Sequence, residues 1–208
     1  MDKEYLSVSG QFQSEFIVER SRFISYCDRV KSEEEARAFV EKIKKQNSLA
    51  THNCYAFIAD ETANLMRFSD DGEPQGTAGV PILDVIKNRN LRQTAVVVTR
   101  YFGGIKLGAG GLCRAYSRAA SDVLDVAKIV KNIPSVEMII DIGYDKYPTL
   151  LRFLNGRTLI NAGNDFGDFV KVKIKIPKSD ADGFIKDITD YFLGKVSPII
   201  GESSYEEY

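Results

Sequence analysis

Gly103, Gly104, Gly108, Gly110 and Gly111 fall within Tyr101–Tyr116, which reads Y-F-G-G-I-K-L-G-A-G-G-L-C-R-A-Y; Lys106 and Arg114 are set among them and Arg118 follows. Glycine permits positive φ and close backbone approach. Where such a loop runs into a helix, the unpaired first-turn N–H groups and the helix dipole favour an anion. An arginine in that turn opposes the dipole by about 0.3–1 kcal/mol until an anion offsets it. With Arg100 at the end of the preceding strand, these residues predict an anion or nucleic-acid cradle. The loop is not a Walker A sequence, since no Lys-Ser or Lys-Thr follows its glycines, and it is not a G-x-G-x-x-G fingerprint. The alternative is a tight turn whose arginines pair with acids such as Asp70 or Glu73.

A second loop, Arg67–Gly79, reads R-F-S-D-D-G-E-P-Q-G-T-A-G. Asp70, Asp71 and Glu73 are hard oxygen donors, but they lack the spacing of an EF-hand. A hairpin turn followed by a helix cap at Gly76 or Thr77 accounts for the same residues without a metal, and so does an acidic partner for the basic loop. No metal or cofactor is expected. His52 is the one histidine. A triad of His52 with Cys54 or Cys113 and Asp70 is conceivable, yet His52 and Cys54 share one strand face, and no G-x-S-x-G elbow is present. His52, Asp70 and Asp71 are therefore the weak catalytic candidates, and a hydrogen-bonded structural histidine is the preferred reading. Further on, Lys171, Lys173 and Lys175 alternate with apolar residues, a basic sheet face that either meets RNA or is neutralised by Glu137 and Asp141.

The elements that position these residues follow from periodicity. Ser32 is an N-cap with Glu35 three residues on, and Ala36, Phe39, Val40 and Ile43 fall on one face, so a helix runs to Gln46. Strands are expected at Phe12–Val18, Phe23–Val30, Asn53–Ala59, Leu65–Phe68 and Ala95–Thr99, and helices from Pro81 to Asn88 and from Leu112 onward. Pro134 marks a boundary, because the residue before a proline is pushed out of the helical region. Beyond it, strand-like Val136–Ile142, a helix around Tyr147–Leu154, strands Arg157–Gly163 and Phe169–Ile176, a helix around Phe184–Phe192 and a strand from Val196 give the order βαββαβ, a ferredoxin-like arrangement. The expectation is an α+β chain of two domains, residues 1–131 and 132–208.

The chain has 208 residues, 44% hydrophobic and 27% charged, with a net charge of -1. That composition argues against disorder and a membrane span, and it leaves no whole-molecule attraction for nucleic acid. The charge is unevenly spread: between Asp84 and Asp122 no acid occurs, while Lys87, Arg89, Arg92, Arg100, Lys106, Arg114 and Arg118 do. The first ten residues lack a signal-peptide core, and three scattered cysteines suggest neither a disulfide framework nor a zinc ribbon. A reduced, cytoplasmic protein is expected.

S-R-F-I at Ser21–Ile24, T-H-N-C-Y-A at Thr51–Ala56, the Arg67–Gly79 loop and R-Y-F-G-G-I-K-L-G-A-G-G-L-C-R-A-Y at Arg100–Tyr116 together resemble the YigZ/IMPACT family. The resemblance implies a first domain folded like the second domain of a small-subunit ribosomal protein, with a small C-terminal domain. It implies relatives that regulate translation in eukaryotes through partners of the general amino-acid-control kinase pathway, and bacterial relatives with proposed nucleic-acid or ribosome binding. Strand-like sequence from Phe12 suggests no added partner-binding domain, so the eukaryotic mechanism does not transfer directly. Cys113 stands where the family motif has a small apolar residue, which speaks against a nucleophile there. The expected function is a non-enzymatic, RNA- or ribosome-associated protein, with a protein partner in translation control as a further expectation. The alternative is an enzyme or binding protein for a small phosphorylated or acidic ligand.

Overall fold

A computed structural model describes residues 3–208. The elements are β1 (Tyr5–Val8), β2 (Phe12–Val18), β3 (Ser21–Arg29), α1 (Glu33–Gln46), β4 (His52–Ile58), β5 (Met66–Ser69), α2 (Gly79–Asn88), β6 (Thr94–Tyr101) and α3 (Gly108–Val126). They continue with β7 (Ile129–Ile142), α4 (Tyr147–Leu154), β8 (Ile160–Phe166), β9 (Val170–Pro177), α5 (Ala181–Tyr191) and β10 (Ile199–Glu207). This is a mixed α+β chain with two antiparallel sheets. It falls into two compact units, Tyr5–Lys131 and Asn132–Tyr208 with Lys3 and Glu4.

In the first unit the sheet runs β2-β3-β6-β4-β5 with every neighbour antiparallel. Both faces are covered. Residues of one parity, Ile24, Tyr26, Phe57, Ala95 and Val97, meet Ala36, Phe39, Val40 and Ile43 of α1. Those of the other, Phe23, Cys27, Cys54, Ala56, Val96 and Val98, meet α2 and α3. Double burial explains why β6 reads as a continuous apolar run and does not alternate. At the start of α1, Ser32 accepts from Glu35 N at 3.2 Å while the Glu35 carboxylate accepts from Lys31 N at 2.7 Å, a close relative of the capping box.

The second unit places β10, β7, β9 and β8 side by side in that order, all antiparallel. Val136, Met138, Ile140 and Ile142 of β7 and the alternate residues of β9 form a core with Leu150 and Phe153 of α4 and Phe184 and Ile188 of α5.

Three expectations are corrected. Pro134 is not a break: β7 runs through it, opposite Tyr205 of β10, and the ladder with β9 begins only at Ser135. A proline is tolerated in a strand where a side lacks ladder bonds. Helix α3 begins at Gly108, four residues before Leu112, so Gly108, Gly110 and Gly111 belong to its first turn. Strand β1, absent from the sequence reading, is anchored by Tyr5 Oη donating to Gln93 at 2.8 Å and by Leu6 O accepting from Arg92 N. No helix among the described residues is long and apolar enough to cross a membrane.

Candidate functional site

The loop between β5 and α2 is built around Asp70. One of its carboxylate oxygens accepts from Ala78 N and Gly79 N at 3.0 and 2.8 Å, and the other from Gly76 N at 2.8 Å. Burial alone would raise the Asp70 pKa, but these three donors hold it below the ordinary carboxylate value. Helix α2 is therefore capped by a residue nine positions upstream of its first residue. The expected cap at Gly76 or Thr77 is not formed: Thr77 Oγ1 donates instead to Pro74 O. Asp71 and Gly72, at φ 43° and 88°, make a tight turn closed by Glu73 N donating to Asp70 O. Asp71 is fully engaged, with one oxygen on Lys44 Nζ at 3.0 Å and the other on Asn53 N at 2.7 Å.

That turn delivers Glu73 into the interior. Its Oε1 accepts from Arg100 Nη1 and from Tyr116 Oη, each at 2.7 Å. Burial, then Cys54 and Glu73, push the Tyr116 hydroxyl far above its usual range, so it remains a donor. Ser21 Oγ accepts from Arg100 Nη2 at 3.3 Å and from Gly103 N at 3.2 Å. His52 Nδ1 meets Asp71 O at 2.8 Å and its Nε2 lies 3.8 Å from Glu73 Oε2. Cys54 donates to Asp70 O, and burial pushes its thiol up to about 12. The two glycine-containing loops thus meet at Glu73. The carboxylates of the weak catalytic candidates Asp70 and Asp71 are committed to backbone and lysine donors. His52 leans on a turn carbonyl. This constellation is a clasp.

The basic residues divide. Arg100 does not join an anion cradle; its side chain is 5% exposed and closes onto Glu73. Arg89 pairs with Asp125 at 2.7 Å, and Arg92 donates to Glu61 O. Lys106, Arg114 and Arg118, by contrast, line one open groove of about 430 Å³ with Phe16, Val18 and Glu19 from the β2–β3 hairpin. Lys106 and Arg114 are exposed, with no hydrogen bond or ion pair among the described residues. Arg118 is held in place: its guanidinium lies 4.2 Å from the Phe16 ring centroid, and Nε reaches Asp122 at 3.3 Å. Phe16 itself stacks on buried Phe23 at 5.2 Å, and Phe23 meets Tyr116 edge-on.

The glycines position the groove. A Cβ on Gly103 would come within 2.1 Å of the Arg20 backbone, so the loop can approach the hairpin turn only as glycine. Gly104 and Gly108 have φ of 87° and 69°. Gly111 lines the groove, and a Cβ on Gly110 would touch only Arg114 at 3.6 Å. The first turn of α3 has no side-chain cap.

In the second unit the lysine row is largely neutralised. Lys173 pairs with Asp165 at 3.1 Å, Lys175 with Glu206 at 2.5 Å, and Lys171 stands opposite Asp141. Sequence reasoning missed Phe16, Glu19, Ser21 and Tyr116 as site residues. Tyr116 carried one usable signal, a phenol on an otherwise apolar helix stripe that needs a buried partner.

The family model described as the Impact N-terminal domain matches residues 19–124, which include most of the groove. The IMPACT family member YvyE of Bacillus subtilis is 38% identical, over 98% of this chain and 94% of its own. The IMPACT family member YigZ of Escherichia coli is 32% identical over 86% and 89%. Protein IMPACT of Mus musculus is 35% identical over 94 residues, 43% of this chain and 29% of that protein. A crystal structure of a protein described as hypothetical covers 97% of this chain and 99% of its own, with a TM-score of 0.64 and 27% identity.

Proposed function

The chain belongs to the IMPACT family, and on that premise we propose that it is a non-enzymatic, cytoplasmic RNA- or ribosome-associated protein acting in the regulation of translation. The observation that carries the proposal is the groove in which Lys106 and Arg114 are unpaired and Arg118 is oriented by Phe16. Two solvated cations and one pre-oriented guanidinium beside an uncapped helix start suit phosphate oxygens. Because Phe16 stacking fixes Arg118 before any ligand arrives, less side-chain entropy is lost on binding.

In this reading residues 1–131 are the IMPACT-type domain, with the fold of the second domain of a small-subunit ribosomal protein. Residues 132–208 are a ferredoxin-like domain, supported by the neighbour order β10-β7-β9-β8. The second domain supplies further contact area or a protein partner's docking face. The lysine row contributes little, since two of its members already hold carboxylates.

Binding to a single-stranded RNA and to purified ribosomes is measured from about 50 to about 200 mM salt. Affinity falls steeply with salt, and the combined change of Lys106→Ala, Arg114→Ala and Arg118→Ala lowers the log–log slope by about 2, near 0.7 for each phosphate left without its cation. No affinity at the low-salt end, or affinity indifferent to the triple change, overturns the proposal. A thermal shift with nucleotides alone, without RNA or ribosome binding, would instead favour a small phosphorylated ligand in the same groove.

A further inference from the structure

The groove of Lys106, Arg114 and Arg118 also holds a residue of the wrong sign for a phosphate site. Glu19 lines it, is exposed, and makes no hydrogen bond or ion pair among the described residues. A carboxylate beside cations either takes one as a partner or weakens the field that attracts a polyanion. Here Arg118 turns to Asp122, and Lys106 and Arg114 stay solvated. Glu19 thus keeps its full acceptor capacity in a groove otherwise made of donors.

The turn fixes its placement. Glu19 and Arg20 join β2 to β3 with φ of 44° and 61°, positive at both central residues as in the hairpin turn that prefers Asn-Gly or Asp-Gly. The ladder closes directly beneath them at Val18 and Ser21, and Ser21 Oγ, accepting from Gly103 N at 3.2 Å, ties the turn to the glycine loop. Neither side chain is favoured at these angles, and strained non-glycine residues cluster where a ligand is held.

The second element is Arg118. At 4.2 Å from the centroid its guanidinium lies over the Phe16 ring, which is parallel to Phe23 within 5°. Asp122 accepts from Nε at 3.3 Å, yet the Arg118 side chain is 60% exposed. The guanidinium therefore has one side on the aromatic stack and another open to solvent, and single-stranded bases stack on arginine planes. Glu19 lies three residues beyond Phe16, about 10 Å of strand, which a base on Arg118 and the glutamate side chain together can bridge.

A carboxylate discriminates between bases. Guanine presents N1–H and N2–H side by side, a two-donor edge that matches both carboxylate oxygens. Uracil sets its N3–H between two carbonyls, and adenine and cytosine set their amino groups beside a ring acceptor, so each offers one donor next to a repelling lone pair.

We propose that the groove prefers guanine in single-stranded RNA. The base stacks on Arg118, Glu19 accepts from guanine N1–H and N2–H, and Lys106 and Arg114 meet the flanking phosphates. The inference rests on the reading of the groove as an RNA site and adds the base that it selects.

The test titrates the full chain into end-labelled RNA heptamers at about 50 mM salt, with fluorescence anisotropy as the readout. The heptamers are all-uridine or carry a central guanosine, adenosine, cytidine or inosine. The guanosine heptamer is expected to bind about tenfold or more tighter than those with adenosine, cytidine or uridine, and inosine, which lacks the N2 amine, to fall between. Glu19→Gln, at an exposed position, should reduce the guanine preference below about threefold with the melting temperature kept. Arg118→Lys, which keeps the charge and loses the plane, should weaken the guanosine heptamer by about fivefold or more with the salt slope kept. Equal affinity for all the heptamers overturns the inference and leaves the RNA reading standing. So does a guanine preference that survives Glu19→Gln, a Glu19→Gln gain spread evenly over every heptamer, or an Arg118→Lys protein that binds as tightly as the parent. No binding of any heptamer at that salt overturns the RNA reading, and this inference with it.

Discussion

Glu73 and Arg100 lie 27 residues apart in the chain and meet at 2.7 Å with side chains 4% and 5% exposed. One comes from the turn after β5 and the other from the end of β6, so the pair joins the acidic loop to the centre of the sheet. Buried pairs of this kind add little over an apolar substitute, but they are severe when half broken.

Glu73→Ala should therefore lower stability by about 3–5 kcal/mol in urea denaturation, because it strands both Arg100 and the Tyr116 hydroxyl. Combining Glu73→Leu with Arg100→Met should cost clearly less than the two single changes together. A Glu73→Ala protein within about 1 kcal/mol of the parent would show that the clasp does not hold the loop.

Gly103 and Gly104 are adjacent but constrained for different reasons. Gly104 needs its positive φ and has open space around a Cβ, so Gly104→Ala should cost roughly 1–2 kcal/mol of local strain. At Gly103 the obstacle is the Arg20 main chain at 2.1 Å, which has no flexible end to give way. Gly103→Ala should lower the melting temperature more than Gly104→Ala, and calorimetry of both settles the order.

Acid should act on the Asp70 cap. Its pKa is below the ordinary value of 3.8 in the folded chain, so the stabilisation is complete above that value. It is lost as pH falls through the folded-state value. Urea midpoints taken down to about pH 2.5 should fall less steeply for Asp70→Asn than for the parent, from a lower start at neutral pH. Parallel curves would assign the acid sensitivity to other carboxylates.

Burial pushes the thiols of Cys27 and Cys54 up to about 12, whereas Cys113 is partly exposed. Native protein treated with an alkylating reagent at mildly alkaline pH should acquire one label, at Cys113, and denatured protein three. Mass spectrometry reads both.

The elements with period and punctuation were legible. Ser32 and Glu35 mark the start of α1 and Phe39 and Ile43 its buried face, all of which the structure bears out. The start of helix α3 is not legible, because Gly108, Ala109, Gly110 and Gly111 carry no amphipathic signal. Pro134 signals a break in the sequence although β7 continues through it, because a strand's neighbours cannot be seen from its own residues. For the groove, the i, i+4 spacing of Arg114 and Arg118 was visible, but the Phe16 ring that orients Arg118 comes from a strand a hundred residues earlier. Arg100 looked like its neighbours in the acid-free stretch. Only the fold reveals that it faces inward.

The Asp70 carboxylate bears on how the chain can change over generations. The length of its loop is fixed: one residue inserted between Asp70 and Gly76 would move all three amides off their common acceptor. A stretch whose glycines suggest tolerance of insertions should be among the least tolerant in the chain.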